Sequence, residues 1–595
     1  MPPADPRAEY DARLRTWRER VAALDRRHLE LSNGRLLVAA IGAVFIWLAF
    51  FRASIDPWWP VAAGFGFAAL VVVHARLLVR LERAQRAVVW YVRGLDRLAG
   101  KWSGRGRGGA RFAGDHPYAR DLDLFGTGSL FELLNTATTE AGEQTLADWL
   151  REGAPVVEVR ARQQAVDELR SKIDFREDLA ILAAETEVSR TGALAAWAHA
   201  APAGLTRVAG AVLAACGLVT LVVAVLVFEG WFDLQWLVTW LGVETAIAWV
   251  WRVRVKAALS RIATADRDLA LVAGVLARIE SEPFASPRLA AIAAALVTRG
   301  VPPSRRIARL RQLVSWLDST RNQLFAPFAL ALLLPQQLAV AIDRWHAAYG
   351  PHVVDWLNAI GELEALAALG TYASERPRDP FPALTDEGPR FEARALAHPL
   401  MSDEVSVPND VALGGDAPHL LVISGSNMSG KSTLLRSVGV NTVLALAGAP
   451  VRAGELRLSP LVIGATLRVE DSLQAGHSRF YAEILRIRGI VEAARGPVPL
   501  LFLLDEILHG TNSYDRRIGA EAIVRALVTI GAIGLVTTHD LALTELPARL
   551  GEIAANRHFE DRLLDGKMVF DYTMRPGIVE HSNALALMRA IGLDV

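Results

Sequence analysis

Nine residues decide the fold of the C-terminal region, and they read Gly425-Ser426-Asn427-Met428-Ser429-Gly430-Lys431-Ser432-Thr433. They follow an apolar run, residues 420–424, that is typical of a buried strand. Glycines here let backbone N–H groups wrap a phosphate, the lysine adds a positive charge for the β- and γ-oxygens, and Ser432 is placed to ligate Mg²⁺. An ordinary glycine turn can share this spelling, but the preceding strand favours a site for ATP. All nine residues are therefore candidates for nucleotide binding, and Lys431 is also a catalytic candidate.

The length and composition of the chain indicate several domains and a search for membrane segments. At about 150 residues per domain, 595 residues suggest three or four units. The 64 basic and 64 acidic side chains balance, so a nucleic-acid contact would have to be a local patch. Cys216 is the single cysteine, which excludes an intramolecular disulfide and a cysteine metal cluster and agrees with a reducing compartment. Hydrophobic residues make up 52% of the chain, a high share for a soluble protein.

Four apolar runs form two predicted helical hairpins, 36–51 with 58–73 and 208–228 with 231–251. At about 1.5 Å per residue, the second pair is long enough to cross a hydrocarbon core and the first is shorter. Two buried hairpins of a soluble protein are the alternative, because hydropathy alone does not separate short spans from core helices. Glu244 lies in the fourth run, where we expect it to be protonated, paired or turned to a helix interface.

Basic residues flank the runs and predict their orientation. Arg35 and Arg207 precede the two hairpins, and clusters at 76–83 and 252–256 follow them. By the positive-inside tendency, both termini face the cytoplasm, where ATP is present. We expect a multi-pass protein of the cytoplasmic (inner) membrane with its ATPase domain on the cytoplasmic side. The charged first 30 residues do not resemble a cleavable signal, so the first hairpin should stay attached.

These features divide the chain into seven segments. We predict a cytoplasmic amphipathic helix (1–35), a transmembrane hairpin (36–76), a helix with a basic Gly/Arg linker (77–120), a helical region (121–207), a second transmembrane hairpin (208–252), a helical core or lever (253–375) and an ATPase domain (376–595). Glycine and arginine at 101–114 indicate a flexible connector that nucleic acid or anionic lipid could also contact. Residues 324–334 are too few to span a membrane and are interpreted as a core helix.

Acidic and imidazole side chains follow two further strand-like runs downstream. Residues 500–504 end at Asp505 and Glu506, and residues 533–538 end at His539. Carboxyl ends of parallel strands meet at one edge of a sheet, so these side chains should reach the phosphate end of the nucleotide. Asp505 would hold Mg²⁺ with Ser432, Glu506 would orient or deprotonate the attacking water, and His539 would contact the γ-phosphate. Alone, the acidic pair would more often start a helix and the histidine would be structural.

Together these motifs resemble the MutS-type ATPases, a branch of the ABC-like P-loop proteins. The nine-residue loop is close to that family's Walker A, with Ser426 and Ser429 in place of proline and glycine, and Asp505-Glu506-Ile507 resembles its Walker B. Gly510 to Asp515 resemble its loop after Walker B, and Thr538-His539 resemble its switch histidine. Asp471 with Gly476 to Phe480 resembles its signature loop, and Arg575 to Gly592 resemble its closing segment. The resemblance implies a homodimer that holds two ATPs, each completed by Ser478 of the other subunit.

Upstream, residues 128–166, His398-Pro399-Leu400 and Asn409-Asp410 resemble the family's helical core and the start of its ATPase domain, so the likeness covers about two-thirds of the chain. The fold class expected is an α/β P-loop domain of ABC/MutS type after an all-α core that carries two transmembrane hairpins. We expect the chain to lack a counterpart of the mismatch-recognition domain with its aromatic wedge. Two functions stay open: a DNA-binding ATPase of repair or recombination type, acting on mismatched or branched DNA, and a mechanochemical membrane ATPase without nucleic acid.

Overall fold

The computed structural model describes residues 5–183, 191–260, 262, 266–297, 300–323, 325–426, 428–468, 479–508, 511–539, 541–564 and 567–579. Several residues named above lie outside this part: Asn427, Asp471, Gly476, Ser478, Gly510 and Gly592. The described residues form an N-terminal helical hairpin, a helical core that carries a second hairpin, and a C-terminal α/β domain. The expected order of an all-α region followed by an α/β domain is confirmed.

The first hairpin consists of two long helices, α1 (Pro6–Phe50) and α2 (Trp58–Leu98). The Asp5 side chain accepts a hydrogen bond from the N–H of Arg7 at 3.0 Å and so caps α1. The predicted amphipathic helix and the first apolar run are therefore one continuous helix of 45 residues. In the turn, the Asp56 carboxylate accepts from the N–H of Trp58 at 2.9 Å and starts α2.

The middle of the chain is helical. Its elements are α3 (Leu130–Leu134), α4 (Glu140–Arg151), α5 (Val156–Ser171), α6 (Ile173–Ala183), α7 (Thr191–His199), the second hairpin α8 (Arg207–Phe228) and α9 (Leu234–Trp249), then α10 (Arg252–Ser260), α11 (Asp266–Ser281), α12 (Pro287–Leu296), α13 (Pro303–Ser319), α14 (Ala326–Ala331) and α15 (Leu334–Glu375). The 42-residue α15 is the central helix of this core. Gly361 lets α4 approach it closely, because a Cβ there would lie 2.8 Å from the backbone of Ala141.

Three of the described helices, α1, α2 and α8, are long and apolar enough to cross a membrane by length and composition. Their apolar side chains point outward, and Phe228 is 88% exposed. The fourth predicted span is shorter than expected. Helix α9 has 16 residues, or about 24 Å, against about 30 Å of hydrocarbon. Glu244 on α9 is turned to the helix interface, as one of our alternatives held, and accepts from the Thr220 hydroxyl of α8 at 2.5 Å.

Two local expectations are wrong. The proposed core helix at 324–334 is the short α14, on which Phe328 and Leu330 are 66% and 60% exposed, while Leu324 lies outside the described residues. The segment at 101–114 is not a loose linker, because its arginines have acidic and carbonyl partners within the core. Arg107 pairs with Glu143 at 2.7 Å, and the N–H of Gly106 donates to Glu132 at 2.8 Å.

The C-terminal domain contains two sheets. Its strands and helices are β1 (Ala383–Leu384), β2 (Arg390–Leu396), β3 (Asn409–Gly414), β4 (Leu420–Ser424), α16 (Lys431–Ala447), β5 (Glu455–Leu458), β6 (Val462–Thr466), α17 (Arg479–Ala493), β7 (Leu500–Asp505), α18 (Ser513–Thr529), β8 (Ile533–Thr538), α19 (Leu546–Leu550), β9 (Ala554–Leu564) and β10 (Lys567–Pro576). The smaller sheet has the order β1-β5-β2-β3 and the larger one β10-β9-β4-β8-β7-β6.

The larger sheet positions the site. Strand β4 pairs in parallel with β8 and β9, and β7 pairs in parallel with β8 and β6. In this register, Thr537 of β8 lies beside Ile423 of β4 on one side and Asp505 of β7 on the other. The ends of β4, β7 and β8 therefore meet at one edge, where the loop 425–430 begins.

Candidate nucleotide site

The loop between β4 and α16 depends on glycine at two positions. Gly425 has a φ of +153°, and a Cβ there would lie 2.9 Å from Ser429 Oγ and 3.1 Å from the carbonyl oxygen of Phe559. Gly430 has a φ of +103°, and a Cβ there would lie 3.2 Å from the Tyr572 ring. Side chains at these positions would clash or strain the backbone. The loop is thus a tight turn whose N–H groups lie at the start of α16, where anions bind favourably.

Lys431 is buried within this loop. Its Nζ donates to the carbonyl oxygens of Gly425 at 2.8 Å and Ser426 at 2.7 Å. It also lies 3.8 Å from Glu506 Oε1. Burial lowers the pKa of Lys431, while the carboxylates of Glu506 and Asp505 act in the opposite direction. The lysine therefore brings a desolvated positive charge to the carboxyl end of the sheet.

The side chains around the loop fit a phosphate group. Ser426 Oγ and Ser429 Oγ are buried, and neither has a hydrogen-bond partner in the described part of the chain. Buried hydroxyls are normally satisfied, so these two are oriented for a group that the protein itself does not supply. With Lys431 they form a set of donors, which matches the oxygens of a phosphate.

Of the two acidic residues at the end of β7, Glu506 has a strained backbone. Glu506 follows β7 with a φ of +46°. Its N–H donates to the hydroxyl oxygen of Thr537 at 3.1 Å and to the carbonyl oxygen of Thr537 at 3.3 Å. The Thr537 hydroxyl donates in turn to the Asp505 carboxylate. His539 Nδ1 lies 3.4 Å from Glu506 Oε1. The glutamate carboxylate therefore lies between the lysine and the histidine, in a conformation that non-glycine residues rarely adopt.

A cleft of about 870 Å³ opens beside these groups. Its lining includes Lys431, Ser432, Asp505 and Glu506 on the polar side, and His398 further out. His398 is 7% exposed, and its burial, aided by the Arg436 guanidinium, lowers its pKa to about 4. The volume is within the range of ordinary small-molecule sites.

The comparisons with known proteins concern this part of the chain. Residues 421–594 match MutS domain V. The protein named "DNA mismatch repair protein MutS" of Brevibacillus brevis is 33% identical over 258 residues, which are 42% of this chain and 29% of that protein. The protein of the same name from Geobacillus thermodenitrificans is 32% identical over 270 residues, 44% of this chain and 29% of that protein. "Probable DNA mismatch repair protein Msh6" of Drosophila melanogaster is 31% identical over 252 residues, which are 41% of this chain and 20% of that protein.

The resemblance inferred from the motifs is confirmed for the MutS domain V region. The matched part spans less than a third of these relatives' length, and it covers less of this chain than the two-thirds that we expected. The resemblance of residues 128–166 to the family's helical core stays a prediction. So do the roles of individual site residues, although the structure brings most of them into one cluster.

In the MutS domain V region, the structure places nearly all of the predicted site residues at the carboxyl edge of the larger sheet. The loop residues 425, 426 and 428–433, the acidic pair and His539 lie there, whereas Asn427 and Ser478 are outside the described residues. Ser432 lines the cleft, Thr433 is exposed, and the Met428 side chain is 84% exposed.

Two contributors were missed by the sequence analysis. Thr537 links Asp505 to the N–H of Glu506, and its position near the end of β8, two residues before the predicted switch histidine, was a usable signal. The buried Glu483 of α17 accepts from the N–H of Leu508 at 2.6 Å and holds the backbone beyond Glu506. No local motif indicates that second contact.

Proposed function

We propose that this protein is a membrane-anchored, Mg²⁺-dependent ATP hydrolase that works as an ATP-dependent homodimer switch. The observation that carries the proposal is the position of Glu506 between Lys431 and His539. Opposite it lies a loop with two buried hydroxyls that have no hydrogen-bond partner among the residues the structure describes. The match to MutS domain V supports a nucleotide-dependent enzyme at the level of the family. The specific residues and the membrane topology belong to the proposal.

The chain's own residues would act as follows. The loop 425–433 binds the phosphates, and Lys431 exchanges its bonds to the carbonyl oxygens of Gly425 and Ser426 for bonds to the β- and γ-oxygens. Ser432 and Asp505 would hold Mg²⁺, which neutralises charge on the triphosphate. Glu506 orients a water in line with the γ-phosphorus and accepts its proton, and His539 donates to the γ-phosphoryl oxygens.

The homodimer would complete each site with Ser478 of the partner subunit, as the family resemblance implies. Contacts between the C-terminal domain and the helical core support a route by which such closure would reach the core. The Asp121 carboxylate accepts from the N–H groups of Leu467 at 2.8 Å and Arg468 at 2.7 Å, and it also binds the Arg486 side chain of α17. Asp121, between α2 and α3, therefore joins residues 467–468 and α17 to the helical core. A movement of α17 on dimer closure would be transmitted to the core through these contacts.

Membrane anchoring is supported by exposed apolar surface on α1, α2 and α8. Exposed apolar surfaces of this extent are a feature of membrane or protein contact sites. The basic residues at 76–83 and 252–256 would lie at the cytoplasmic headgroups. We expect the intact protein to resist carbonate extraction and to require detergent for solubility, and release into the soluble fraction would contradict the topology.

DNA is the first candidate for the ligand that the switch controls. Both named bacterial relatives and the Drosophila protein carry mismatch repair in their names. The alternative is a mechanochemical ATPase that acts on the membrane hairpins alone, which the balanced charge and the exposed apolar helices favour. Binding of the detergent-solubilised protein to duplex, mismatched and branched DNA over a salt series separates the two, because phosphate contacts weaken steeply with salt.

The hydrolase proposal is tested by Glu506→Gln. The amide keeps the size of the side chain but does not accept a proton, so ATP should still bind while turnover falls by about two to four powers of ten. Glu492→Gln is the matched control, because Glu492 is an exposed glutamate whose partner is Arg488 of the same helix. Nucleotide titration and phosphate release are the measurements. A Glu506→Gln protein that hydrolyses ATP at the parental rate would remove Glu506 from its role.

A further inference from the structure

An uncharged apolar segment lies beside the second hairpin and is not explained by the nucleotide site. Residues 322–342 contain no Asp, Glu, Lys, Arg or His, and ionisable side chains return at Arg321 and Asp343. This stretch includes α14 and the first turns of α15. Phe325, Phe328 and Leu330 on it are 43%, 66% and 60% exposed. Such a surface is costly in water.

The segment runs along α8 to about half the length of a membrane span. Gly210 of α8 faces Val340 of α15, and a Cβ at Gly210 would lie 3.0 Å from that side chain. Seven residues further along α8, a Cβ at Gly217 would lie 2.7 Å from the carbonyl oxygen of Leu332. Gly217 is ten residues after the start of α8, a rise of about 15 Å, which is half of a hydrocarbon core of about 30 Å.

The chain turns between α14 and α15 at this point along α8, and a side chain bonds to the backbone at the turn. Leu333 has a φ of +49° and forms the turn between α14 and α15. The Gln337 side chain donates to the carbonyl oxygen of Leu332 at 2.9 Å, at the point where α14 ends. Irregular backbone within a bilayer is tolerated only where its polar groups are paired inside the protein. The glutamine thus supplies the bond that such a turn requires.

The base of the segment is fixed where the charged residues return. The Asp343 carboxylate accepts from the N–H of Ala203 at 2.5 Å and of Leu205 at 2.7 Å, in the loop that leads into α8. Arg254 reaches the carbonyl oxygen of Gly204 in the same loop at 3.4 Å. Asp343 and Arg254 therefore both contact the loop that leads into α8, and the apolar segment extends from that loop along α8.

We propose that residues 325–342 form a re-entrant membrane element, which enters from the cytoplasmic side, turns at Leu332 and Leu333, and returns as α15. Its exposed surface is covered by lipid acyl chains. This inference rests on the proposed membrane anchoring, and it adds a third point of insertion. Because α15 continues without interruption to the start of the C-terminal domain, the element connects that domain directly to the bilayer.

The test measures the depth of single labelled sites in lipid nanodiscs. In a Cys216→Ala background, an environment-sensitive fluorophore is attached through Phe328→Cys or, as a second position on the same surface, Leu330→Cys. Val222→Cys on α8 gives the quenching expected for a site on the membrane hairpin. Val157→Cys on α5 of the helical core gives the quenching expected for a site in water, because Val157 is 79% exposed. Quenching by lipids with a mid-chain nitroxide is compared with quenching by aqueous iodide.

We expect the ratio of lipid to iodide quenching at Phe328 and Leu330 to exceed that at Val157 by at least threefold and to approach that at Val222. Strong lipid quenching at Val222 with iodide quenching at Phe328 and Leu330 would overturn the re-entrant element and leave the membrane anchoring intact. Iodide quenching at all four positions would overturn the anchoring itself. Protection from both quenchers at Phe328 and Leu330 would show a protein partner on this surface and would equally refute the proposal.

Discussion

Replacing Glu375 with glutamine removes a negative charge from a buried contact between the first hairpin and the end of α15. The Glu375 carboxylate accepts from Arg97 Nε at 2.8 Å and from Arg97 Nη2 at 2.5 Å. The Tyr10 hydroxyl donates to the same carboxylate at 3.2 Å. The side chains of Arg97 and Glu375 are only 10% and 2% exposed. This cluster fixes the base of the hairpin to the core, because Arg97 is on α2 and Tyr10 on α1.

The size of the effect follows from burial. Removing one partner of a buried ion pair costs about 3–5 kcal/mol, because the other charge stays buried without compensation. Glutamine still offers one oxygen to Arg97, so we expect the lower end, about 3 kcal/mol, which is about a hundredfold in the docking equilibrium. Combining Glu375→Gln with Arg97→Leu removes the uncompensated charge as well, and most of the loss should be recovered.

Thiol accessibility measures this docking. Leu14 lies in the apolar cluster between the hairpin base and Ile173 of the core, and is 4% exposed. Leu14→Cys in a Cys216→Ala background gives one buried thiol, whose maleimide labelling requires the base to open. Adding Glu375→Gln should speed labelling by about a hundredfold, whereas Glu82→Gln, which breaks an exposed i,i+4 pair with Arg86, should change it by less than threefold. Equal labelling rates for the two variants would refute the reasoning.

Two further predictions concern the C-terminal domain. His398→Asn should flatten the pH dependence of the free energy of unfolding. Because the histidine pKa is lowered from 6.5 to about 4, the unfolded state binds the proton first, and the parent protein loses up to about 3 kcal/mol of stability as the pH falls from 6.5 to 4. Asparagine does not titrate and can still accept from the N–H of Leu400. Thermal unfolding of both proteins between pH 7.5 and 4.5 checks it, and parallel curves would contradict it. Gly430→Ala should lower ATP affinity at least tenfold, because a Cβ at a φ of +103° beside Tyr572 distorts the loop, while the melting temperature stays within a few degrees. Calorimetry measures the affinity, and ATP binding as tight as in the parent protein would contradict this prediction.

The nucleotide cluster could be predicted from the sequence because each of its parts is local. A strand followed by nine residues with two glycines and a lysine specifies one backbone shape. Acidic residues at the end of an apolar run are expected at the carboxyl edge of a parallel sheet. Thr537 could have been found by the same logic, since it lies near the end of the strand that His539 follows. The Glu483 contact could not, because α17 and the loop after Glu506 are brought together only by tertiary packing.

The surroundings of the helical core were harder to predict for a similar reason. Glycine and arginine at 101–114 are typical of a flexible linker, but the arginines find partners such as Glu143, more than 30 residues away. The apolar residues 324–334 match a core helix in hydropathy, and composition alone does not reveal whether such a helix faces protein or lipid. The contact of Tyr10 with Glu375 joins residues that are 365 positions apart.

The continuous helix α15 has a mechanical consequence. Its 42 residues form a rod about 63 Å long, so a tilt of about 5° at its junction with the α/β domain would move its other end by about 5 Å. A small rotation at one end thus becomes a displacement of a whole helical turn at the other. Pro351, within the rod, is the position where bending would reduce this amplification, because proline leaves one backbone hydrogen bond unmade. The stiffness at Pro351 therefore limits how much of any such rotation reaches the far end of α15.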